Sequence, residues 1–355
     1  MNTATIKKLA CEAGFDVCGI ATPTPLREAE EKLENWIREG KHGGMRYLED
    51  YKLRAKNFWG KFPSAKSIVV LGLNYYSNDY GGEQSQPFPA ITGRVARYAW
   101  GKDYHFVIRE KIDKLKSKIR EEIDCDIRFE SSVDTKPVLE RPLARQAGLG
   151  FIGKQTQLLS LQFGPWLFLS ELITDLELEP DEPFEGSCGS CRICIEECPT
   201  GAIEKGKQID ARKCIAYLTI ENKGAIPAEF HEAVGNRVFG CDECLDVCPY
   251  TAKQKESSSA ELKAESGFGA ELDLAKLFEI SSQGEYEKIF EGTAILRAKR
   301  KQLLRNACVV LGNSKDPRAI PVLQRALSDS SELVREHARW ALLALEKSNG
   351  SGCSK

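Results

Sequence analysis

The sequence predicts a multi-domain protein of mixed helix and strand, α+β or α/β in class, and three observations predict it. Strand-like and helix-like patterns alternate from Ile6 to about Leu178. Eight of the thirteen cysteines fall between Cys188 and Cys248. From Lys301 onward the pattern is helical only. Alternation of the two element types marks a layered domain with helices on a sheet. A chain of 355 residues is long enough for roughly two or three domains, each with its own core. The expected divisions are 1–178, 179–255 and 256–355.

Met1 to Ala10 carries two lysines and no long apolar core after them, so it reads as the start of a helix and not as a targeting segment. Residues 16–21, with VCGIA inside, form a short strand. Residues 23–39 form a helix with Leu26, Ala29, Leu33, Trp36 and Ile37 on one face. Residues 67–74 (SIVVLGLN) are a continuous apolar run, as expected of a strand buried on both faces. Residues 103–123 make a long amphipathic helix, and 125–131 the next strand. Residues 161–176 hold two more apolar stretches, split by Gly164 and Pro165. The acidic run 179–185, with two prolines, reads as a linker. Residues 253–269, rich in Ser, Lys, Glu and Ala, read as a surface connection. Helices follow at 301–312, 319–327 and 333–346. The second is opened by Asp316-Pro317-Arg318 and turns Ile320, Leu323 and Leu327 inward. That is a HEAT-type signature, and such repeats are stable only when stacked on neighbours.

The cysteines carry the sharpest chemistry. Cys188, Cys191, Cys194 and Cys198 read C-x2-C-x2-C-x3-C and are followed by Pro199. Cys214, Cys241, Cys244 and Cys248 form a second set, again closed by a proline, Pro249. This is the two-cluster ferredoxin pattern, in which the fourth cysteine of each run ligates the other cluster. It assigns Cys188, Cys191, Cys194 and Cys248 to one 4Fe–4S cluster, and Cys198, Cys214, Cys241 and Cys244 to the second. The second set departs from the repeat in that Cys214 lies far upstream of its partners. Zinc sites close with C-x2-C pairs or histidines. The four histidines (His42, His105, His231, His337) all lie outside the cysteine runs. Disulfides are not expected of a chain read as cytoplasmic. Cys11, Cys18 and Cys308 read as packing residues.

Composition bounds the partners. The net charge of −2 is near zero, so binding of nucleic acid must come from local patches. No apolar run approaches the roughly 18 residues that span a bilayer, so no membrane partner is expected.

Two segments of the first domain look unlike scaffold. One is Ser132-Val133-Asp134-Thr135-Lys136-Pro137-Val138-Leu139-Glu140-Arg141, which puts Asp134 at the carboxyl end of a strand, where sites in α/β sheets collect. Read alone, Asp134 is equally a helix cap. The other is Ala147-Gly148-Leu149-Gly150-Phe151-Ile152-Gly153-Lys154-Gln155-Thr156, whose glycines let backbone approach a bound group. Its spacing fits neither the phosphate-loop nor the dinucleotide fingerprint.

Together with ARYAWGKDYH (96–105), CGSCRICIEECPTGAI, CIAYLTIE and FGCDECLDVCP, these segments resemble the epoxyqueuosine reductase family over most of the chain. The resemblance implies a cobalamin-binding α/β domain related to that of reductive dehalogenases, a two-cluster ferredoxin-like module and C-terminal HEAT-like α-helical repeats. It implies tRNA bearing epoxyqueuosine at the wobble position of its anticodon as substrate, queuosine as product, and an external low-potential electron donor. Asp134 falls on the family's proton donor. Lys154, Gln155 and Thr156 lie on the stretch that meets the corrin, with Gln155 where many members have Asn. Arg54, Ala96, Ala216 and Asp242 match other corrin contacts. Arg141, Thr219, Lys223, Arg297, Arg300, Lys301 and Arg305 match the tRNA-facing side. Trp100, Tyr104 and Tyr217 are candidates for stacking on bases.

Deoxygenating an epoxide to an alkene consumes two electrons and two protons and releases water. Asp134 must therefore be protonated near neutral pH, and burial beside an apolar corrin face is expected to raise its pKa. The scarcity of histidine implies cobalamin held base-off, without a protein axial ligand. Two other readings are carried: a cobalamin-dependent reductase of a small molecule such as an organohalide, and a non-enzymatic ferredoxin-type electron carrier.

Overall fold

The computed structural model of the chain describes residues 2–78, 91–123, 126–204, 207–252 and 254–350. Its strands are β1 (Val17–Ala21), β2 (Ser67–Asn74), β3 (Thr92–Val95), β4 (Phe129–Ser132), β5 (Leu167–Thr174), β6 (Arg237–Phe239) and β7 (Glu271–Asp273), besides two-residue pairs. Its main helices are α1 (Thr3–Ala13), α2 (Arg27–Arg38), α3 (Tyr51–Gly60), α4 (Tyr104–Glu121), α5 (Glu140–Gln146), α6 (Gln283–Ile289), α7 (Arg300–Asn313), α8 (Ala319–Ala326) and α9 (Glu332–Gly350). The start of the strand expected at 125 lies outside the described residues.

Four strands form the first sheet in the order β1-β2-β5-β4. Every pairing in it is antiparallel. The alternation of strands and helices thus builds a sheet without parallel crossovers. Strand β2 is nonetheless buried along its whole length, because helices cover both faces. Val69, Leu71 and Leu73 pack under α1 and α4, against Ile6, Leu9, Ile108 and Ile112. Ile68 and Val70 pack on the other side against Leu143 and Ala144 of α5. A strand covered twice needs apolar side chains at odd and even positions alike, whichever way its neighbours run. Helix α2 lies farther out: none of its residues is fully buried, and Trp36 is fixed by donating its indole N–H to the Ile209 carbonyl at 2.6 Å.

A second sheet, in the order β6-β3-β7, ties the three parts of the chain together. β3 comes from the first part, β6 from the cysteine-bearing part and β7 from the last. One core accordingly runs from Val95 and Trp100 through Leu218 and Phe239 to Leu303, Leu323 and Leu345. Trp100 is only 1% exposed and donates to the Val95 carbonyl. It is a core residue and cannot stack on a base.

The segment expected as a surface connection is packed instead. Ser257 bonds to the carbonyls of Asn74 and Tyr76, and Leu262 enters the core under α4. At the helical end α7 is buried almost throughout and carries α9 against it. Gly312 makes that approach possible, since a Cβ there would come within 2.7 Å of the Trp340 ring. On α8 the inward residues are Ala319, Val322, Leu323 and Ala326, with Ile320 and Leu327 only half-buried at the edge. Cys308 packs in the core as expected, whereas Cys11 is exposed.

Candidate functional site

The folded chain sorts the eight cysteines into two groups. Burial raises the Cys194 thiol, with Cys188, Cys248 and Cys191 as its charged neighbours. Burial raises Cys244 well above the ordinary thiol value, with Cys214, Cys241 and Cys198 around it. Cys248, the last in sequence, faces Cys188 and Cys191, and Cys214 faces Cys198. These are the crossed sets that the spacing pairs. Among the described residues no three such groups converge closely enough to hold a single metal ion. A zinc ion would need its thiolates gathered at one point; in a 4Fe–4S cluster each thiolate binds a different iron. The donor set therefore fits clusters and not zinc. The Ala202 amide, 3.3 Å from Cys198 Sγ, adds a bond of the kind that tunes cluster potential.

Residues 154–156 lie against the first group. Lys154 donates its ammonium to the carbonyls of Gly189 at 2.8 Å and Cys191 at 2.7 Å, bracing the loop that carries two ligands. Gln155 is 1% exposed, and its amide nitrogen lies 4.0 Å from Cys248 Sγ. Thr156, with φ of +68°, gives its carbonyl to Arg141 at 2.7 Å. Ala96 and Asp242 lie beside the second group. The Ala96 amide bonds the Phe239 carbonyl at 2.8 Å, and Asp242 accepts from the Arg97 amide at 2.7 Å. Burial pushes the Asp242 carboxyl up to about 6. Ala216 precedes the wide helical turn Tyr217–Glu221. Short side chains at 96 and 216 and the buried Gln155 amide beside Cys248 are compatible with a large flat cofactor packed near the cysteine groups.

Asp134 stands where β4 ends, at a φ of +53° that few non-glycine residues adopt. Its side chain is 42% exposed. The Tyr104 hydroxyl donates to its Oδ2 at 2.6 Å and Arg297 donates to the same oxygen at 2.8 Å. His105 Nε2, buried and without a hydrogen bond among the described residues, lies 3.9 Å away, and its Nδ1 is held by Asp103 at 2.7 Å. Burial pushes the Asp134 carboxyl up, but the Arg297 charge and the bonds from Tyr104 and Arg297 outweigh burial and hold it below the ordinary carboxylate value. The expected upward shift fails for that reason. Two further carboxyls stand behind this residue. Glu140 accepts from the Asp134 amide at 2.7 Å, and burial raises it to about 8. Glu171 on β5 is fully buried, with both oxygens lacking a hydrogen bond among the described residues. Burial also raises it well above the usual range.

The basic residues expected to face phosphates divide sharply. Arg297 is 35% exposed and also reaches Glu221 at 3.3 Å. Lys301 and Lys223 are exposed. Arg300 is buried and forms an ion pair with Asp329 at 2.6 Å. Arg305 is 0% exposed and donates to the carbonyls of Leu218, Asn222 and Gly224. Thr219 is buried between the Ile215 carbonyl and the Gly240 amide. Arg300, Arg305 and Thr219 are therefore corrected to structural residues, because their polar groups are saturated inside the protein. Arg54 is half-buried and donates to the Tyr47 carbonyl at 2.9 Å. Tyr104 belongs to the Asp134 cluster, and the Tyr217 hydroxyl accepts from the Gly44 amide at 2.6 Å. Sequence reasoning missed Tyr104 as a partner of Asp134, and missed Glu171 altogether.

Comparison with known proteins accords with this arrangement. A family model described as epoxyqueuosine reductase QueG, DUF1730 matches residues 57–135. A 4Fe–4S double cluster binding domain matches 187–251, and HEAT repeats match 293–350. An epoxyqueuosine reductase of Xanthomonas campestris is 38% identical over 342 residues, covering 96% of this chain and 95% of its own. One from Vibrio cholerae is also 38% identical, covering 95% and 90%. The chain superposes on a crystal structure of epoxyqueuosine reductase with an epoxyqueuosine-modified tRNA-Tyr stem loop. There the TM-score is 0.84 at 32% identity, over 99% of this chain and 94% of that one. A Bacillus subtilis epoxyqueuosine reductase whose catalytic aspartate loop is swung out of the active site matches with a TM-score of 0.84 at 31% identity, over 99% and 95%.

Proposed function

The chain belongs to the epoxyqueuosine reductase family, and from that premise we propose how its own residues act. The protein is an oxidoreductase of tRNA modification that reduces epoxyqueuosine to queuosine at the wobble position. Its tRNA partner is bound through the anticodon stem-loop, and it works in the cytoplasm with an external low-potential electron donor. No helix among the described residues is long and apolar enough to cross a membrane.

Arg54, Ala96, Lys154, Gln155, Thr156, Ala216 and Asp242 hold cobalamin, and the two cysteine sets hold the clusters. When bound, cobalamin supplies the reduction at the epoxide carbon, fed singly by the two 4Fe–4S clusters. Lys154 and Gln155 keep the first cluster loop against the cofactor stretch. Asp134 gives its proton to the oxygen leaving carbon, which departs as water once a second proton is taken. Tyr104 orients that carboxyl. Arg297, Lys301 and Lys223 meet phosphates of the anticodon loop. Arg141, anchored on Thr156, faces the same substrate.

The observation that carries this reading is an acid at a strand end, open to solvent, whose loop joins the same domain as a cluster-braced stretch. The test is anaerobic incubation of reconstituted protein with a reductant and an epoxyqueuosine-bearing stem-loop. Queuosine should appear in the digested RNA, and its absence with intact cofactors would overturn the reading.

A further inference from the structure

The carboxyl that must give up a proton is held in its ionised form. Asp134 Oδ2 accepts from Tyr104 at 2.6 Å and from Arg297 Nη1 at 2.8 Å. The same nitrogen lies 3.1 Å from the Tyr104 oxygen, and Nη2 reaches Glu221 at 3.3 Å. Charge-assisted bonds of this kind favour the carboxylate, which has no proton to donate. The other groups facing Asp134 are His105 from α4, Glu140 and Arg141 from α5, Glu171 from β5, and Tyr98 and Tyr47 from the short turns beside it. Of these Arg141 adds a second positive charge but is tied to the Thr156 carbonyl at 2.7 Å, and His105 Nε2 lies 3.9 Å away.

Arg297 is the member of this cluster best placed to leave. It sits on the turn Ala294–Arg297 that leads into α7, outside the sheet that carries Asp134. Its side chain is a third exposed, and Lys299 beyond it is 61% exposed. Arg300 and Arg305, by contrast, are locked in the interior. A guanidinium fork binds phosphate as readily as carboxylate. Asp134 and an arriving nucleic-acid backbone therefore compete for one cation.

We infer that Arg297 is a substrate-released clamp: a phosphate of the anticodon loop takes its guanidinium, and Asp134, set free, binds from solvent the proton that it then delivers to the epoxide oxygen. The inference rests on the proposed tRNA reduction. One proton is taken from water or buffer per tRNA bound, and no electron moves in this step. Without tRNA the acid stays unloaded, so a reduced site has no armed proton donor facing water.

Calorimetric titration in buffers of different ionisation enthalpy counts the protons taken up on binding. The protein should carry both clusters and cobalamin and be left unreduced, and the probe is an anticodon stem-loop bearing epoxyqueuosine. Wild type should take up about one proton per stem-loop near neutral pH. Asp134→Asn should bind with no uptake. Arg297→Gln should take up less than wild type, because its carboxyl is no longer held ionised beforehand. Should Arg297→Gln bind too weakly to titrate, lower salt strengthens its binding and the same reduction is read there. An unmodified stem-loop should give the wild-type uptake; uptake confined to the modified base overturns the role of phosphate. Binding by wild type without uptake, or undiminished uptake by Asp134→Asn, overturns the clamp and leaves the proposed function standing. Failure of wild type to bind the stem-loop overturns that function itself.

Discussion

The cysteine-bearing module and the helical end bury polar chemistry in opposite ways. In α7 the buried Arg300 meets Asp329, and the buried Arg305 and Asn306 meet backbone carbonyls. Each charge brought indoors has its counterpart on the same chain. The module buries thiols instead, and burial raises Cys241 to about 12 and Cys244 well above the ordinary thiol value, with Cys214 beside both. The apolar residues around Cys248 are few, chiefly Phe151 and Leu159. The helical end is therefore complete as polypeptide, whereas the module is completed by inorganic partners.

Iron removal tests that contrast most severely. Chelation should abolish turnover and let amides of residues 188–248 exchange quickly, while α7 stays protected; equal protection throughout would erase the distinction. Asp134→Asn comes next. It should lower turnover by roughly 10²–10⁴-fold with iron content and unfolding temperature unchanged, separating the chemistry from both regions. Arg300→Ala strands the buried Asp329 carboxylate and should cost about 3–5 kcal/mol in urea unfolding, with iron content intact. The smallest effect is expected of Lys301→Ala, an exposed change within about 0.5 kcal/mol of wild type in stability. In tRNA binding it should reduce the salt slope by about 1; an unchanged slope would take Lys301 out of the interface.

The same contrast governs what the sequence reveals. The cluster spacing is local, so the cysteine positions could be read directly and the folded chain pairs them as read. The apolar runs likewise disclosed β2, α4 and the three terminal helices. Charge is different, because a basic run does not say which way each side chain turns. Arg297 and Lys301 face outward while Arg300 and Arg305, on the same stretch, find carboxylate and carbonyls inside. Strand direction was also hidden, since a doubly covered antiparallel strand is as apolar as a parallel one. Glu171 escaped notice because it sits inside LFLSELIT, where the pattern reports a buried strand and says nothing of one carboxyl within it.

The crossed pairing of Cys188, Cys191 and Cys194 with Cys248 has a consequence for biogenesis. A ribosome that has released the first three thiols has not yet made the fourth. The first cluster therefore cannot be closed until Cys248 has emerged, and the second stays open until Cys244 has. Iron delivery to this protein is a late event, timed after β6 has been synthesised and can pair with β3.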